Sequence, residues 1–385
     1  MTELHHSALE ERHAALGARL VPFGGWLMPL QYEGVVAEHR ACRSGAVVFD
    51  VSHLGSVRVE GVGAFDRLQV VLSNDLDRVE VGQTQYTHLL NDAGGVVDDL
   101  IVWRIASDAF MVMPNASNTD RVIAALLGSS SRIASTAEAS TAESARAGAA
   151  SVNMPEARTG VADDVSVVDV TAERSMLAVQ GPQARKLLAR VWPEAAAVER
   201  NHSSALAFQG FQALVAGTGY TGESGVEIHI DNAGAGGLFD ALLDVSIAPA
   251  GLGARDTLRL EKGYPLHGHE LGPDITPLEA GLDFVVAWDK PSFVGKDALL
   301  EQRESGVDSK LVGLKLADRK IARQGAAVLR NGKVIGCVTS GNFSPQLNVA
   351  IALAFVEPDI AEGALLDIDI RGRVTQATVV PTPFV

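Results

Sequence analysis

The stretch 89–103 reads Leu89-Leu90-Asn91-Asp92-Ala93-Gly94-Gly95-Val96-Val97-Asp98-Asp99-Leu100-Ile101-Val102-Trp103, in which two apolar runs flank a cluster of turn residues. This pattern predicts a β-hairpin whose second arm carries two adjacent acids. Because side chains alternate across a strand, we expect Asp98 and Asp99 on opposite faces. Asp99 is then expected to share its face with three apolar neighbours, Val97, Ile101 and Trp103.

A carboxylate among such neighbours needs a partner, since burying it unpaired costs on the order of several kcal/mol. One interpretation is structural: the acid accepts backbone N–H bonds from the turn beside it. The other is that the acid is kept there for binding or chemistry. The residues of the hairpin alone leave both interpretations open.

The chain around the hairpin divides into stretches of different pattern. Residues 55–126 alternate short strands with helical segments near 64–73 and 117–127, and a second α+β stretch runs from 165 to about 282. Between them, 128–164 is rich in Ala, Ser, Thr and Glu, which predicts an exposed, mobile insertion or a solvated helix. From about 293 the pattern is mainly β, and Asn331-Gly332 between apolar runs predicts a hairpin.

Composition excludes several classes of protein. A chain of 385 residues with 47% hydrophobic and 21% charged residues is expected to fold as two or three globular domains. No apolar run approaches the roughly 20 residues of a membrane span, and we see no secretory signal, so a cytoplasmic protein is expected. The net charge of −15 argues against nucleic acid as a partner. Cys42 and Cys337 are predicted to be buried thiols.

A second candidate segment is Gly217-Thr218-Gly219-Tyr220-Thr221-Gly222-Glu223-Ser224-Gly225, which formally contains G-x-G-x-x-G. The residues after it alternate as a strand over 226–230, whereas a dinucleotide site requires a helix there. We therefore predict a hairpin. Glu227 on its second strand is either a solvated residue or a pair of acceptor oxygens for the planar, amidine-like edge of a ligand.

Two further segments carry candidate residues. Gly251-Leu252-Gly253-Ala254-Arg255 begins a predicted helix on which Arg255 and Arg259 share a face, so Arg255 could bind a carboxylate ligand or pair with an acid on the surface. His267-Gly268-His269 suggests a metal site, but no third ligand is evident nearby, and we predict no metal.

Taken together, ordered segments along almost the whole chain resemble the glycine cleavage T-protein family. The matching segments are Phe23-Gly24-Gly25-Trp26, Phe49-Asp50-Val51-Ser52-His53-Leu54-Gly55, the hairpin at 94–101, Pro114-Asn115-Ala116-Ser117-Asn118, Val179-Gln180-Gly181-Pro182, 218–223, 251–256 and Thr339-Ser340-Gly341-Asn342-Phe343.

The resemblance implies an α+β fold in which three domains form a cloverleaf around a central folate channel. Two of them would be α/β sandwich-like and the third a C-terminal β-barrel or jelly roll. Domain one would comprise 1–55 and 165–285, domain two 56–164 with the insertion 128–164, and domain three 286–385.

The resemblance also implies an aminomethyltransferase. The family passes a one-carbon unit from the lipoyl arm of a lipoylated H-protein to tetrahydrofolate, which gives 5,10-methylenetetrahydrofolate and ammonia without a metal. Asp99 would be the catalytic carboxylate, and Glu227 would bind and recognise the pterin ring of the folate. Further folate-site residues would be Arg255, Tyr86, Asn115, Tyr220 and Leu54.

Leu54 departs from the family, where methionine is common, but the change keeps the volume and apolar character. Two other functions share the architecture: another folate-dependent one-carbon transferase or demethylase, and a folate-binding iron–sulfur assembly factor. The first group carries a flavin domain that we do not find here. The second has a cysteine after Lys-Gly, where this chain has Tyr264.

Overall fold

The structure is a computed structural model that describes residues 4–128 and 164–385. The described residues form nine α-helices: α1 (Glu10–Ala15), α2 (Val35–Ser44), α3 (Ala64–Val71), α4 (Thr119–Leu126), α5 (Ala184–Leu188), α6 (Pro193–Ala197), α7 (Asn232–Asp244), α8 (Leu252–Glu261) and α9 (Lys296–Ser305). None of these helices is long and apolar enough to cross a bilayer.

The strands in the same ranges are β1 (His5–His6), β2 (Arg19–Phe23), β3 (Trp26–Gln31), β4 (Val47–Asp50), β5 (Val57–Glu60), β6 (Thr84–Leu90), β7 (Val96–Arg104), β8 (Ala109–Met113), β9 (Ser166–Asp169), β10 (Arg174–Gln180), β11 (Ser203–Phe208), β12 (Phe211–Ala216), β13 (Gly225–Asp231), β14 (Ala248–Ala250), β15 (Lys310–Leu316), β16 (Ala327–Arg330), β17 (Lys333–Ser344), β18 (Val349–Val356), β19 (Leu365–Ile370) and β20 (Arg373–Val380). They form three sheets and a closed barrel.

A six-stranded sheet joins the N-terminal part of the chain to its middle. Its order is β11-β12-β13-β10-β4-β14, so β4 lies between strands that follow more than 120 residues later. One face packs on α5, α6 and α7 through Val226, Ile228 and Ile230, which belong to a large apolar core. The alternate residues of β13, including Glu227, therefore point to the opposite face.

The predicted hairpin is confirmed as β6 and β7, within a five-stranded sheet of order β6-β7-β8-β5-β9. Its register pairs His88 with Asp99 and Leu89 with Asp98, and then slips, so that Leu90 pairs with Val96. The slip is a β-bulge, and the extra residue resets the alternation. Val97 consequently packs in the core with Leu100 and Val102, and the prediction that Val97 lies beside Asp99 is wrong.

The C-terminal unit is a closed barrel of order β15-β18-β17-β16-β19-β20. The predicted hairpin at Asn331-Gly332 is confirmed between β16 and β17, and both residues have the positive φ (55° and 78°) that such a turn requires. Cys42 is buried as predicted, but Cys337 is exposed. The prediction was wrong for Cys337 because the register between β16 and β17 slips at Ile335. This β-bulge resets the alternation, so Ile335 and Val338 both pack in the barrel core and Cys337 lies on the outer side.

The mixed α and β composition and the closed C-terminal barrel confirm the predicted fold class. The boundaries proposed for the three domains stay a prediction. The predicted insertion 128–164 lies, except for its two end residues, outside the described residues.

Candidate active site

A cavity of about 1860 Å³ lies between the six-stranded sheet, the five-stranded sheet, α8 and the barrel. Ligand pockets typically measure roughly 300–1,000 Å³, so this cavity has room for more than one reactant. The structure brings all seven predicted site residues to its wall: Leu54, Tyr86, Asp99, Asn115, Tyr220, Glu227 and Arg255.

The Asp99 carboxylate is held at the cavity wall by two side chains. The Tyr86 hydroxyl donates to its Oδ2 at 3.0 Å, and the Asn115 Nδ2 lies 2.9 Å from its Oδ1. Tyr86 comes from β6 and Asn115 follows β8, so both neighbours of β7 in the sheet contribute. The turn of the hairpin contributes no donor to this carboxylate in the described chain, because the turn N–H groups of Ala93 and Gly95 bond to Asn91.

The Asp98 carboxylate is fully buried and also depends on the loop after β8. It accepts the backbone N–H of Asn115 at 3.0 Å and lies 2.8 Å from each of the amide nitrogens Asn115 Nδ2 and Asn118 Nδ2. Although the two acids were predicted on opposite faces, both contact the same Asn115 amide. They therefore form one electrostatic unit.

This proximity controls the protonation of the pair. Burial raises the pKa of the Asp98 carboxyl well above its ordinary value, and the negative charge of Asp99 raises it further. Burial also raises the pKa of Asp99, but the charge of His267 and the hydrogen bonds from Tyr86 and Asn115 oppose this rise. Burial therefore opposes ionisation more strongly at Asp98, and Asp99 is the member of the pair whose neighbours favour the anion.

Glu227 is 4% exposed, so the interpretation as a solvated strand residue is wrong. The hydroxyl of Thr218 donates to its Oε2 at 2.6 Å. Its Oε1 has no hydrogen-bond donor among the described residues and faces the cavity that Glu227 lines. A carboxylate with one oxygen fixed and one free is suited to a ligand that offers neighbouring N–H groups.

Arg255 and Arg259 have different environments although they share one face of α8. Arg259 is 2% exposed and bonds to Asp256, Glu270 and Ser340, which makes it a structural residue. Arg255 instead lies over the ring of Tyr220, 4.8 Å from its centroid, and its Nη1 is buried without a partner. The alternative of an Arg255 surface ion pair is therefore wrong. Arg255 lines the cavity together with Glu227, whose charge opposes the lowering of the Arg255 pKa by burial.

Tyr220 and Leu54 shape the rest of the wall. The Tyr220 hydroxyl donates to the backbone oxygen of Pro265, and its ring stacks on Tyr264 with centroids 5.8 Å apart. Burial raises the pKa of Tyr220, so the phenol stays neutral. Leu54 packs with Ile101 against the apolar cluster at the base of the hairpin, which supports the interpretation of Leu54 as an apolar wall residue.

Two residues that line the cavity, His53 and His267, and one beside it, Asn118, were not assigned to the site from the sequence. Asn118 binds Asp98, and His267 contacts Asn118 and the backbone oxygen of Val96. His53 is buried with its Nδ1 unpartnered, and burial lowers its pKa to about 3, so it is neutral. All three lie in segments that had been singled out for other reasons, but only their tertiary neighbours reveal these contacts. Among the described residues, no group of three His, Cys, Asp or Glu side chains could hold a metal.

Two family models match the chain. The GCVT N-terminal domain matches residues 9–290, and the glycine cleavage T-protein C-terminal barrel domain matches residues 310–385. Curated relatives cover the whole chain and almost all of their own length. Aminomethyltransferases of Desulfitobacterium hafniense and Mycobacterium avium are 42% and 41% identical over 100% of this chain and over 99% and 97% of their own.

A solved structure has the same fold. The glycine cleavage system aminomethyltransferase T from Bartonella henselae is 33% identical, superposes with a TM-score of 0.85, and is matched over 98% of its length by 99% of this chain.

Proposed function

We propose a specific reaction for this chain, which belongs to the glycine cleavage T-protein family and is an aminomethyltransferase. In this reaction the protein moves a one-carbon unit from the aminomethylated lipoyl arm of an H-protein to tetrahydrofolate. The products would be 5,10-methylenetetrahydrofolate, ammonia and the dihydrolipoyl H-protein. Its location in the cytoplasm stays a prediction.

The observation that carries this proposal is the placement of Asp99. Its carboxylate lines a large cavity and is oriented by Tyr86 and Asn115. A fixed anion in a partly desolvated site stabilises positive charge far better than it would in water. Positive charge develops on the one-carbon unit as ammonia leaves, so Asp99 is the group that would lower this barrier.

The opposite part of the wall is suited to hold the acceptor. A pterin presents an N3–H and a 2-amino group side by side, and the free Oε1 of Glu227 can accept from this edge. The unpartnered Nη1 of Arg255 can donate to an oxygen of the same ligand. Both groups suit tetrahydrofolate, because each belongs to a residue that lines the cavity and has no protein partner among the described residues.

The remaining residues would align the reactants. Tyr86 and Asn115 hold the Asp99 carboxylate, whereas Tyr220 supports Arg255 through its ring and Leu54 supplies an apolar surface. Such alignment lowers the activation free energy of the transfer, because the entropy cost of positioning the reacting groups is met when the substrates bind.

The test is a direct assay. The protein is incubated with tetrahydrofolate and aminomethylated H-protein, and ammonia and methylenetetrahydrofolate are measured. We expect both products in equal amounts. Product formation no greater than in the absence of the protein would overturn the proposal.

A binding measurement tests the acceptor end separately. Glu227→Ala should weaken tetrahydrofolate binding by at least about ten-fold, because a hydrogen bond to a charged group contributes roughly 1.5–3 kcal/mol. Glu362→Ala, at an exposed glutamate of the barrel, is the matched control and should bind as the unaltered protein does. If both variants bind equally well, Glu227 is not in the folate site.

A further inference from the structure

His53 is a cavity residue to which the proposed function gives no role. It lies in the loop after β4, is 4% exposed, and lines the cavity together with Leu54 and Arg255. Its Nδ1 is buried without a hydrogen-bond partner. Its Nε2 also has no partner among the described residues, but this atom is not fully buried. The ring therefore brings two unsatisfied polar atoms to a site that otherwise excludes water.

Packing, and not hydrogen bonding, holds the His53 ring in place. The ring of Phe23 lies edge to face against it, with centroids 5.2 Å apart and an interplanar angle of 87°. Phe23 ends β2, and the turn after it packs closely on the loop after β8, since a Cβ added at Gly24 would lie 3.0 Å from the Cβ of Ala116. The partner of the His53 ring is thus fixed by the same loop that carries Asn115.

The burial of His53 also decides which ring nitrogen carries a proton. Burial, and to a smaller extent the positive charge of Arg255, lower the pKa of His53 to about 3, so the imidazole is neutral. A neutral imidazole has one N–H donor and one acceptor lone pair. Inside proteins, a donor without a partner is rarer than an acceptor without one. We therefore assign the lone pair to the buried Nδ1 and the proton to Nε2.

We infer that His53 is a further tetrahydrofolate-binding residue, which donates its Nε2–H to an oxygen of the bound folate. The inference rests on the proposed function. His53 would contact the acceptor substrate directly, as an uncharged donor beside the charged Arg255.

The surroundings of His53 favour the folate over the lipoyl arm as its ligand. Arg255 is close enough for its charge to act on His53, and its unpartnered Nη1 is a donor for the same substrate. Tetrahydrofolate carries carbonyl and carboxylate oxygens, which accept hydrogen bonds well. The reactive end of an aminomethylated lipoyl arm carries an amine and sulfur, and sulfur is a weak acceptor. Two neighbouring donors therefore match an oxygen-bearing ligand.

A buried histidine without partners is not by itself a ligand site, and His229 on β13 makes the comparison. His229 is fully buried, and neither of its ring nitrogens has a partner among the described residues. Burial lowers its pKa to about 3, as it does for His53. His229 is not, however, among the residues that line the cavity. The two histidines share burial and a neutral ring but differ in access to a ligand, so His229→Phe is the matched control.

The test is direct binding of tetrahydrofolate, measured by calorimetry without oxygen, to His53→Phe and His53→Gln. Phenylalanine keeps an aromatic ring against Phe23 but has no donor, whereas glutamine loses the ring and keeps an N–H donor at a similar reach. We expect the dissociation constant to rise about ten-fold in His53→Phe, because a folate oxygen loses its partner in a buried site. In His53→Gln it should stay within about three-fold of that of the unaltered protein.

A purely structural role for His53 predicts the opposite order, because only phenylalanine preserves the packing of the ring. That opposite order, or an unchanged dissociation constant in His53→Phe, would overturn the inference. So would a higher KM for aminomethylated H-protein with folate binding intact, since the donor would then serve the lipoyl arm. His229→Phe should bind tetrahydrofolate as the unaltered protein does, and thermal unfolding checks that each variant is folded.

A second measurement needs no variant. The ring ¹⁵N and N–H signals of His53 in the unaltered protein should show a neutral ring protonated at Nε2, and tetrahydrofolate should shift the Nε2–H signal. A proton on Nδ1, or a signal that saturating tetrahydrofolate leaves unchanged, would contradict the inference. Because these experiments measure binding, a protein that binds tetrahydrofolate but releases no ammonia would fail only the proposed function.

Discussion

Asp99→Asn should abolish most of the transfer activity while leaving the protein folded. The substitution keeps the shape of the side chain and removes its charge. A unit positive charge about 4 Å from a carboxylate, at an effective dielectric constant of about 20, is stabilised by about 4 kcal/mol. Since each 1.36 kcal/mol corresponds to about ten-fold in rate, kcat should fall by roughly 10³-fold.

The stability of the variant follows from the same environment. Because burial raises the pKa of Asp99, its ionised form costs folding free energy at neutral pH, and asparagine removes this cost. Against this, asparagine cannot accept from both Tyr86 and Asn115, and one lost hydrogen bond costs about 1 kcal/mol. The free energy of unfolding should therefore change by less than about 2 kcal/mol.

The assay is single-turnover release of ammonia, with thermal unfolding measured on the same sample. Asp92→Asn is the control, since Asp92 is an exposed acid in the turn of the same hairpin. Asp98→Asn should cost less activity than Asp99→Asn, because Asp99 lines the cavity and Asp98 does not. Retention of more than about one tenth of the activity by Asp99→Asn would refute the electrostatic argument.

Three further outcomes are expected. Arg259→Met should lower the free energy of unfolding in denaturant by about 3–5 kcal/mol, because Glu270 would be left as a buried charge, and a loss below 1 kcal/mol would contradict this. Burial acts to raise the pKa of Asp50, but hydrogen bonds from a histidine and two serines hold this pKa below its ordinary value. The ionised Asp50 carboxylate therefore stabilises the folded protein at neutral pH, and this stabilisation is lost as the pH falls below about 4. Asp50→Asn should then unfold more easily at pH 7 and flatten the acid side of the stability curve, and an unchanged curve would exclude this role. In the native protein a thiol reagent should modify Cys337 rapidly and Cys42 only after unfolding, because burial raises the pKa of Cys42 to about 12; equal rates would contradict the burial pattern.

The elements that could be predicted from the sequence are those whose cause is local. The hairpin at 89–103, the strand after Gly225, the helix from Leu252 and the turn at Asn331-Gly332 each depend on residues within a few positions of one another. Turn chemistry and alternation act over that range, so the pattern is readable without tertiary information.

The features that were missed depend on contacts across the chain. The β-bulge that moves Val97 into the core depends on how β6 pairs with β7. The residues of β7 alone do not indicate that a bulge is present. The donors to Asp98 come from Asn115 and Asn118, 17 and 20 residues away. The alternation of side chains along β7 therefore predicted Asp98 and Asp99 on opposite faces. It could not show that both acids contact the side-chain amide of Asn115.

The choice of Asp99 as the catalytic group came from the resemblance, whereas the conditions that let it act come from packing. Asp99 lies on the five-stranded sheet, Glu227 on the six-stranded sheet and Arg255 on α8, so the site exists only when these units are held in register.

Helix α8 supplies this constraint, because Arg259 donates to Ser340 of the barrel at 2.8 Å and Glu261 accepts from Ser344 at 2.5 Å. Glu261 also binds His39 and Arg43 of α2, which packs against the same helix. Arg255 lines the cavity one helical turn before Arg259. The buried ion pairs of α8 contribute little net stability by themselves, but they fix the distance between Arg255, which would bind tetrahydrofolate, and the Asp99 carboxylate.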